Sequence, residues 1–337
     1  MDFEQEYQSL FTAPDPTGRR RKAIDSPYLH RKQRVHFVLF DVLPFFGTIL
    51  AVALVPVFGL GWPELAACAV MWLITGFGIS VGYHRLLAHR SFKTRKGLRA
   101  AFAVAGSMAG QGGVISWVAM HRRHHECADR EGDFHSPQLH GGGFIGRLRG
   151  MVHAHLTWMA AHAYPNVAHY APDLLRSPEL AWINRNYYPI VIAGWLLPGL
   201  ACGLVIGSWS GFLTGFLWGG MVRMFLLEQG IWSLNSFCHM WGRREFPTRD
   251  HSRNIGWMAP LIFGESWHHN HHAFPGSASF GLRWYRIDPG YWLIAALRSA
   301  GLAWDVKVPS PDQIAQRSIA ATRAANYSLP LSGRQRK

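Results

Sequence analysis

Four short clusters concentrate the reactive side chains of this sequence. The first is His84-Arg85-Leu86-Leu87-Ala88-His89 and the second is His121-Arg122-Arg123-His124-His125. The third is Asn235-Ser236-Phe237-Cys238-His239 and the fourth is His268-His269-Asn270-His271-His272. On an α-helix, positions i, i+3 and i+4 share a face, so His121, His124 and His125 can point at one site, and the same spacing is available to His268, His271 and His272. Asn235 and His239 share a face in the same way. With His269 left aside, the clusters supply nine histidines and one asparagine. Imidazole suits Fe, Zn, Cu and Ni. A lone zinc takes about four ligands, so nine are too many for one ion. Two ions with four or five neutral nitrogens each fit the count. Among metals that activate dioxygen, iron is the natural choice for cleaving a strong aliphatic C–H bond.

Other metal chemistries fit less well. No HExxH motif is present for a zinc protease, and the pair of ExxH motifs that a carboxylate-bridged bundle needs is absent. The isolated histidines His36, His140, His153, His162, His169 and His251 are read as caps, packed polar groups or interfacial residues. Cys68, Cys127, Cys202 and Cys238 form no CxxC pair, which argues against a disulfide framework or a thiolate zinc site.

The elements that carry these clusters are membrane-like. The chain has 337 residues, 49% hydrophobic and only 16% charged, with 15 Trp. Four apolar runs can span a bilayer, at about 37–60, 65–83, 190–207 and 211–230. The third contains Pro198, a kink site, and the fourth is broken by Arg223. A further stretch, 98–119, is rich in Gly and lies between the first two clusters. If those clusters share a site, it cannot cross once, so it is expected to be re-entrant or interfacial. The predicted fold is therefore an all-α integral membrane protein with four transmembrane helices and a cytoplasmic helical cap holding a His-rich di-iron site. Residues 1–35 are expected to be a polar, loop-like cytoplasmic segment without a cleavable signal, 36–304 the membrane domain, and 305–337 a cytoplasmic tail, mobile from 310. The net charge of +14 gathers at the two ends, which places both termini and the active site on the cytoplasmic side. It favours anionic membrane lipids or an acidic redox partner. Nucleic acid is excluded as a partner, because no basic stripe stands apart from the membrane flanks.

With these clusters in order, the chain resembles the membrane fatty-acid desaturases, in particular the Δ9 stearoyl/acyl group. The resemblance rests on GYHRLLAHRSF (82–92), WVAMHRRHHECADREGDFHSP (117–137), WSLNSFCH (232–239) and FGESWHHNHHAFPGSASFGLRWYRIDPGYWLI (263–294), and spans roughly residues 35–300. It implies that His84, His89, His121, His125 and His271 hold one iron. His124, His239, His268 and His272 would hold the other, with Asn235 through a water. It also implies two ferrous ions, O2 as co-substrate and removal of two hydrogens from neighbouring methylenes of a long acyl chain, leaving a double bond, typically cis and at Δ9. Gln111, Trp117 and Trp232 match positions of the family's substrate tunnel. A threonine at the tunnel bend in animal members is Ile231 here. Their CoA-contacting pairs fall at Gly112-Gly113 and Ala119-Met120, so long-chain acyl-CoA and lipid-linked acyl chains both stay open. At least one of Asp129, Glu131 and Asp133 is expected to orient a ligating imidazole. His155 is read as a structural position.

No HPGG motif or cysteine cluster for an iron–sulfur centre is present. Electrons are therefore expected from a separate donor, a ferredoxin or a small b-type cytochrome with its reductase. Two rivals remain: a membrane hydroxylase of alkane or carotenoid type on the same iron core, and a non-enzymatic metal carrier or transporter. The carrier reading would need polar groups spread through the spans.

Overall fold

The computed structural model describes residues 21–320 with the exception of Ala161. Expectations for residues 1–20 and 321–337 lie outside the described residues. The main helical runs are α1 (Pro27–Ala53), α2 (Trp62–Ala88), α3 (Lys96–Ser107), α4 (Val114–Cys127), α5 (Gly143–His155), α6 (Pro178–Arg185), α7 (Tyr187–Ile206), α8 (Trp209–His239), α9 (His268–Ala273) and α10 (Pro289–Ser299). Of these, α1, α2, α7 and α8 are long and apolar enough to cross a membrane, with mean hydropathy between 1.3 and 2.1. Their outward faces carry exposed apolar side chains such as Phe46, Val52, Leu73 and Leu204, which require lipid rather than water as their solvent.

The first run begins earlier than expected. Residues 27–35, read from their polarity as loop, are helical and continuous with the rest of α1. Ser26 is extended at the N-cap and Pro27 stands at the first helical position, where its missing N–H costs nothing. α8 continues past residue 230 to His239, so the third cluster is its last turns. The 98–119 stretch is two helices, α3 and α4, joined by a turn in which Gly110 and Gly112 take φ of +81° and +103°, values open to glycine without strain.

α2 and α3 pack backbone to backbone. A Cβ on Gly78 would lie 2.3 Å from the amide nitrogen of Gly106, and one on Gly106 would lie 2.5 Å from the Tyr83 ring. This close approach lets the α3–α4 hairpin return beside the end of α2. Two short antiparallel ladders fasten the periphery: β1 (Ala23–Ile24), β2 (Lys93–Thr94), β3 (Tyr164–Pro165) and β4 (Ala303–Trp304) pair as β1–β3 and β2–β4. The stretch from residue 310, expected to be mobile, is held in its described part. Arg317 donates to the Ala273 carbonyl at 2.7 Å and the Ile319 amide to that of Glu245 at 2.9 Å. Those partners follow the third and fourth clusters, so long-range backbone contacts override the local polarity of the tail.

Candidate metal centre

His84 and His89 are five residues apart, a spacing that points about 140° apart on an α-helix. The structure resolves this with a π-helical segment, Gly78–Ala88. The His89 amide donates to the His84 carbonyl at 3.0 Å, five residues back, which brings both rings to one side. α4 contributes His121, His124 and His125, the end of α8 contributes His239, and α9 contributes His268, His271 and His272.

These side chains form two sets. In His84, His89, His121, His125 and His271, one nitrogen of each ring lies within 4.8 Å of the others. The same holds for His124, His239, His268 and His272. Within the first set, Nε2 of His271 lies 3.0 Å from Nε2 of His84 and 2.8 Å from that of His125, and the Nε2 atoms of His89 and His121 are 2.6 Å apart. In the second, the Nε2 pairs are His124–His272 at 3.3 Å and His239–His268 at 3.0 Å. Nitrogens bonded at about 2.1 Å to one cation would stand about 3 Å apart at right angles. One shared proton cannot serve five converging lone pairs, so the donor sets fit two cations.

Several rings carry a carboxylate on the far nitrogen. Nδ1 of His84 lies 2.5 Å from Glu265, that of His124 3.1 Å from Asp133, that of His239 2.7 Å from Asp129 and that of His272 3.3 Å from Asp250. Such partners fix the ring and its tautomer so that Nε2 faces inward. Burial, reinforced by neighbouring imidazoles, holds His89, His121, His125, His268 and His271 well below the usual histidine range. Burial also takes His272 down to about 4 against the pull of Asp250. These rings are therefore neutral at pH 7, the form that ligates a metal. For His124, burial opposes the charged form but Asp133 outweighs it and raises the pKa. Burial likewise works against the charge of Asp129, Asp133 and Asp250, yet their histidine partners keep all three well below the carboxylate range.

Arg85, with 0% exposure, locks the first cluster to the last. It pairs with Asp288 at 2.8 Å and Glu265 at 3.3 Å, donates to the carbonyls of Phe263 and Ala278, and lies 4.0 Å from the Phe280 ring centre.

The other predicted residues are dispersed. Asn235 is half-buried on the His239 face and makes no side-chain hydrogen bond among the described residues. Gln111 lines a cavity of about 410 Å³ with Lys32, Asp41, Met120, Trp158 and Arg185, and its amide nitrogen is buried without a hydrogen-bond partner among the described residues. Trp117 stacks on His121 with ring centres 5.2 Å apart, and Trp232 is buried against His155. Neither Trp lines that cavity. His269 turns away to bond the Phe246 backbone and Ser252. Glu131 is exposed. Sequence reasoning missed Asp250, Glu265 and the buried His135, whose ring centre is 4.4 Å from that of His124. No local spacing announces Asp250 or Glu265; the latter meets a histidine 181 positions away.

Four spans, a backbone-packed hairpin and two imidazole cages define a membrane metalloenzyme architecture, and the chain belongs to the fatty acid desaturase family, whose model matches residues 60–306. It is thus an oxidoreductase acting on fatty acyl chains. Among its relatives is a hex-5-enoyl-[acyl-carrier protein] acetylenase of Moorena producens (strain JHB), 45% identical over 304 residues, covering 90% of this chain and 95% of the relative. The Delta-9 acyl-lipid desaturase 1 of Arabidopsis thaliana is 34% identical, covering 94% and 100%. The sn-2 palmitoyl-lipid 9-desaturase of Nostoc sp. (strain 36) is 37% identical, covering 80% and 90%. These place the chain in the Δ9 group of the family.

Proposed function

We propose that this enzyme introduces a cis double bond at Δ9 of a long-chain fatty acyl group linked to CoA or to a lipid. The observation that carries this reading is the pair of imidazole cages. One of them is assigned His84, His89, His121, His125 and His271, the other His124, His239, His268 and His272, with Asn235 reaching the second through water. Bound ferrous ions would supply the activation of O2 with two electrons from a separate ferredoxin or b-type cytochrome. The overall balance is one –CH2–CH2– unit, O2, two electrons and two protons giving –CH=CH– and two waters.

The protein's part is positional. Carboxylates at Nδ1 fix the rings, and Trp117 covers His121. The cavity at Gln111 can hold part of a chain whose methylenes offer no polar handle, so depth and bend must select the pair to be oxidised. The basic flanks support termini and active site on the cytoplasmic side, with residues 36–304 as the membrane unit.

The acetylenase relative supports a second reading, in which the substrate already holds a double bond or rides on a carrier protein. Heterologous expression in a desaturase-deficient host, followed by mass spectrometry of the fatty acids, separates these. A new monoene two mass units below its precursor is expected. A gain of oxygen indicates hydroxylation and a terminal alkyne the acetylenase activity. Parallel assays on stearoyl-CoA, a stearoyl glycerolipid and stearoyl-acyl-carrier protein identify the carrier.

A further inference from the structure

The two cages differ in the charge that surrounds them. Around the four-histidine cage, Asp129, Asp133 and Asp250 each contact a ligating ring, and their side-chain exposures are 1%, 0% and 11%. Their remaining bonds come from neutral donors. Asp129 accepts from Ser136 and the His251 amide, Asp133 from the Asp129 and His135 amides with the neutral His135 ring 3.4 Å away, and Asp250 from Thr248 and the Ser252 amide and hydroxyl. Among the described residues no Lys or Arg pairs with any of the three. Among the described residues around the five-histidine cage, only His84 has a carboxylate partner, Glu265, and that charge is shared with the buried Arg85. Asp288 sits on the far side of the same guanidinium. Nδ1 of His271, like that of His268 in the other cage, is buried with no hydrogen-bond partner among the described residues. Counting ions in contact, one net negative charge flanks the five-histidine cage and three flank the other.

We propose that this asymmetry makes the two metal positions unequal, so that the four-histidine position fills first and releases its ion last although it has one imidazole fewer. The inference rests on the two-metal reading above. An added imidazole contributes a neutral ligand. A buried carboxylate one ring away attracts the cation directly and strengthens the ring as a donor. Loss of one such partner lowers metal affinity by about 10–100-fold, so two additional uncompensated carboxylates favour the four-histidine position by roughly 100-fold or more. Asp129, Asp133, Asp250 and Glu265 act through the rings and are positioning residues.

The test uses the full chain in detergent, stripped of metal by mild chelation and titrated with ferrous iron or cobalt(II). At one equivalent of cobalt, anomalous diffraction from the wild-type protein is expected to show density at His124, His239, His268 and His272. Binding isotherms should show two classes. Asp133→Asn and Asp250→Asn should weaken the tighter class about 10–100-fold, and Glu265→Gln the weaker class. Asp250→Glu should restore much of the loss, which a merely structural defect would not allow. First-equivalent density at the five-histidine cage, or equal filling of both, overturns the proposal while leaving the two-metal reading intact. Failure of the native chain to bind either metal overturns that reading as well. The wild-type diffraction arm decides the order even if a variant fails to fold.

Discussion

Replacing Arg85 by Leu tests whether the first and fourth histidine clusters are locked together by charge. Arg85 has no exposed surface and holds two carboxylates, Glu265 and Asp288, together with two backbone carbonyls. Leucine removes the cation and strands the acids. Breaking a buried pair from one side costs about 3–5 kcal/mol. The backbone amides of Phe280, Gly281 and Tyr291 still donate to Asp288, which places the expected loss near the lower end, at about 3 kcal/mol. For a chain of 337 residues that corresponds to a fall in the thermal midpoint of about 4 °C. Arg85→Lys keeps the charge but not the planar fork, and should lose less than half as much. Thermal unfolding of the metal-free protein in detergent, followed by tryptophan fluorescence, measures both. A midpoint for Arg85→Leu within about 1.5 °C of wild type, equivalent to roughly 1 kcal/mol, would refute the electrostatic lock.

Three further outcomes follow from the same structure. Glu228 is fully buried within α8 and neither carboxylate oxygen has a hydrogen-bond partner among the described residues; Glu228→Leu should raise the unfolding midpoint, gaining about 1–3 kcal/mol, and a lower midpoint would show that the acid is satisfied in solution. Metal-free protein should lose stability as pH falls from 6.5 towards 4. Burial, as the leading cause, holds His269 and His272 at about 4 and His135 at about 3, whereas the unfolded chain takes up these protons near 6.5. The unfolded state then binds more protons across that window, so stability falls with pH by up to about 1.4 kcal/mol per unit per group; a midpoint unchanged between pH 7 and 4.5 would contradict the assignment. Finally, His269→Gln should keep both metals, because His269 faces Phe246 and Ser252, while His271→Gln should lose metal from the five-histidine cage; equal metal loss in the two variants would remove the distinction drawn within the fourth cluster.

Much of this site is legible in linear order. The i, i+3, i+4 spacing of His121, His124 and His125 puts the three rings on one side of α4, toward one site, but the structure then divides them, His121 and His125 to one cage and His124 to the other. The apolar runs likewise announce four spans. The pair His84 and His89 is different. Their spacing suits no α-helical face, and the π-helical segment that contains His84 and ends at His89 makes them neighbours. That segment depends on α2 pressing against α3 at Gly78 and Gly106, a tertiary contact with no local signature. Asp129 and Asp133 could be anticipated because they follow the second cluster. Asp250 and Glu265 could not, since each lies in an irregular stretch whose course is set by bonds to distant segments. The polarity of Lys32, Gln33 and Arg34 suggests a loop, yet Pro27 and Ser26 start a helix there and carry it into the first span.

The most direct test of the whole account is the metal content of the purified full-length chain, measured by elemental analysis after expression in iron-replete cells. Two irons per chain are predicted, with loss of one on His271→Gln and loss of the other on His239→Gln. A single metal per chain, or iron content indifferent to both substitutions, would contradict the assignment of two histidine cages as the catalytic centre.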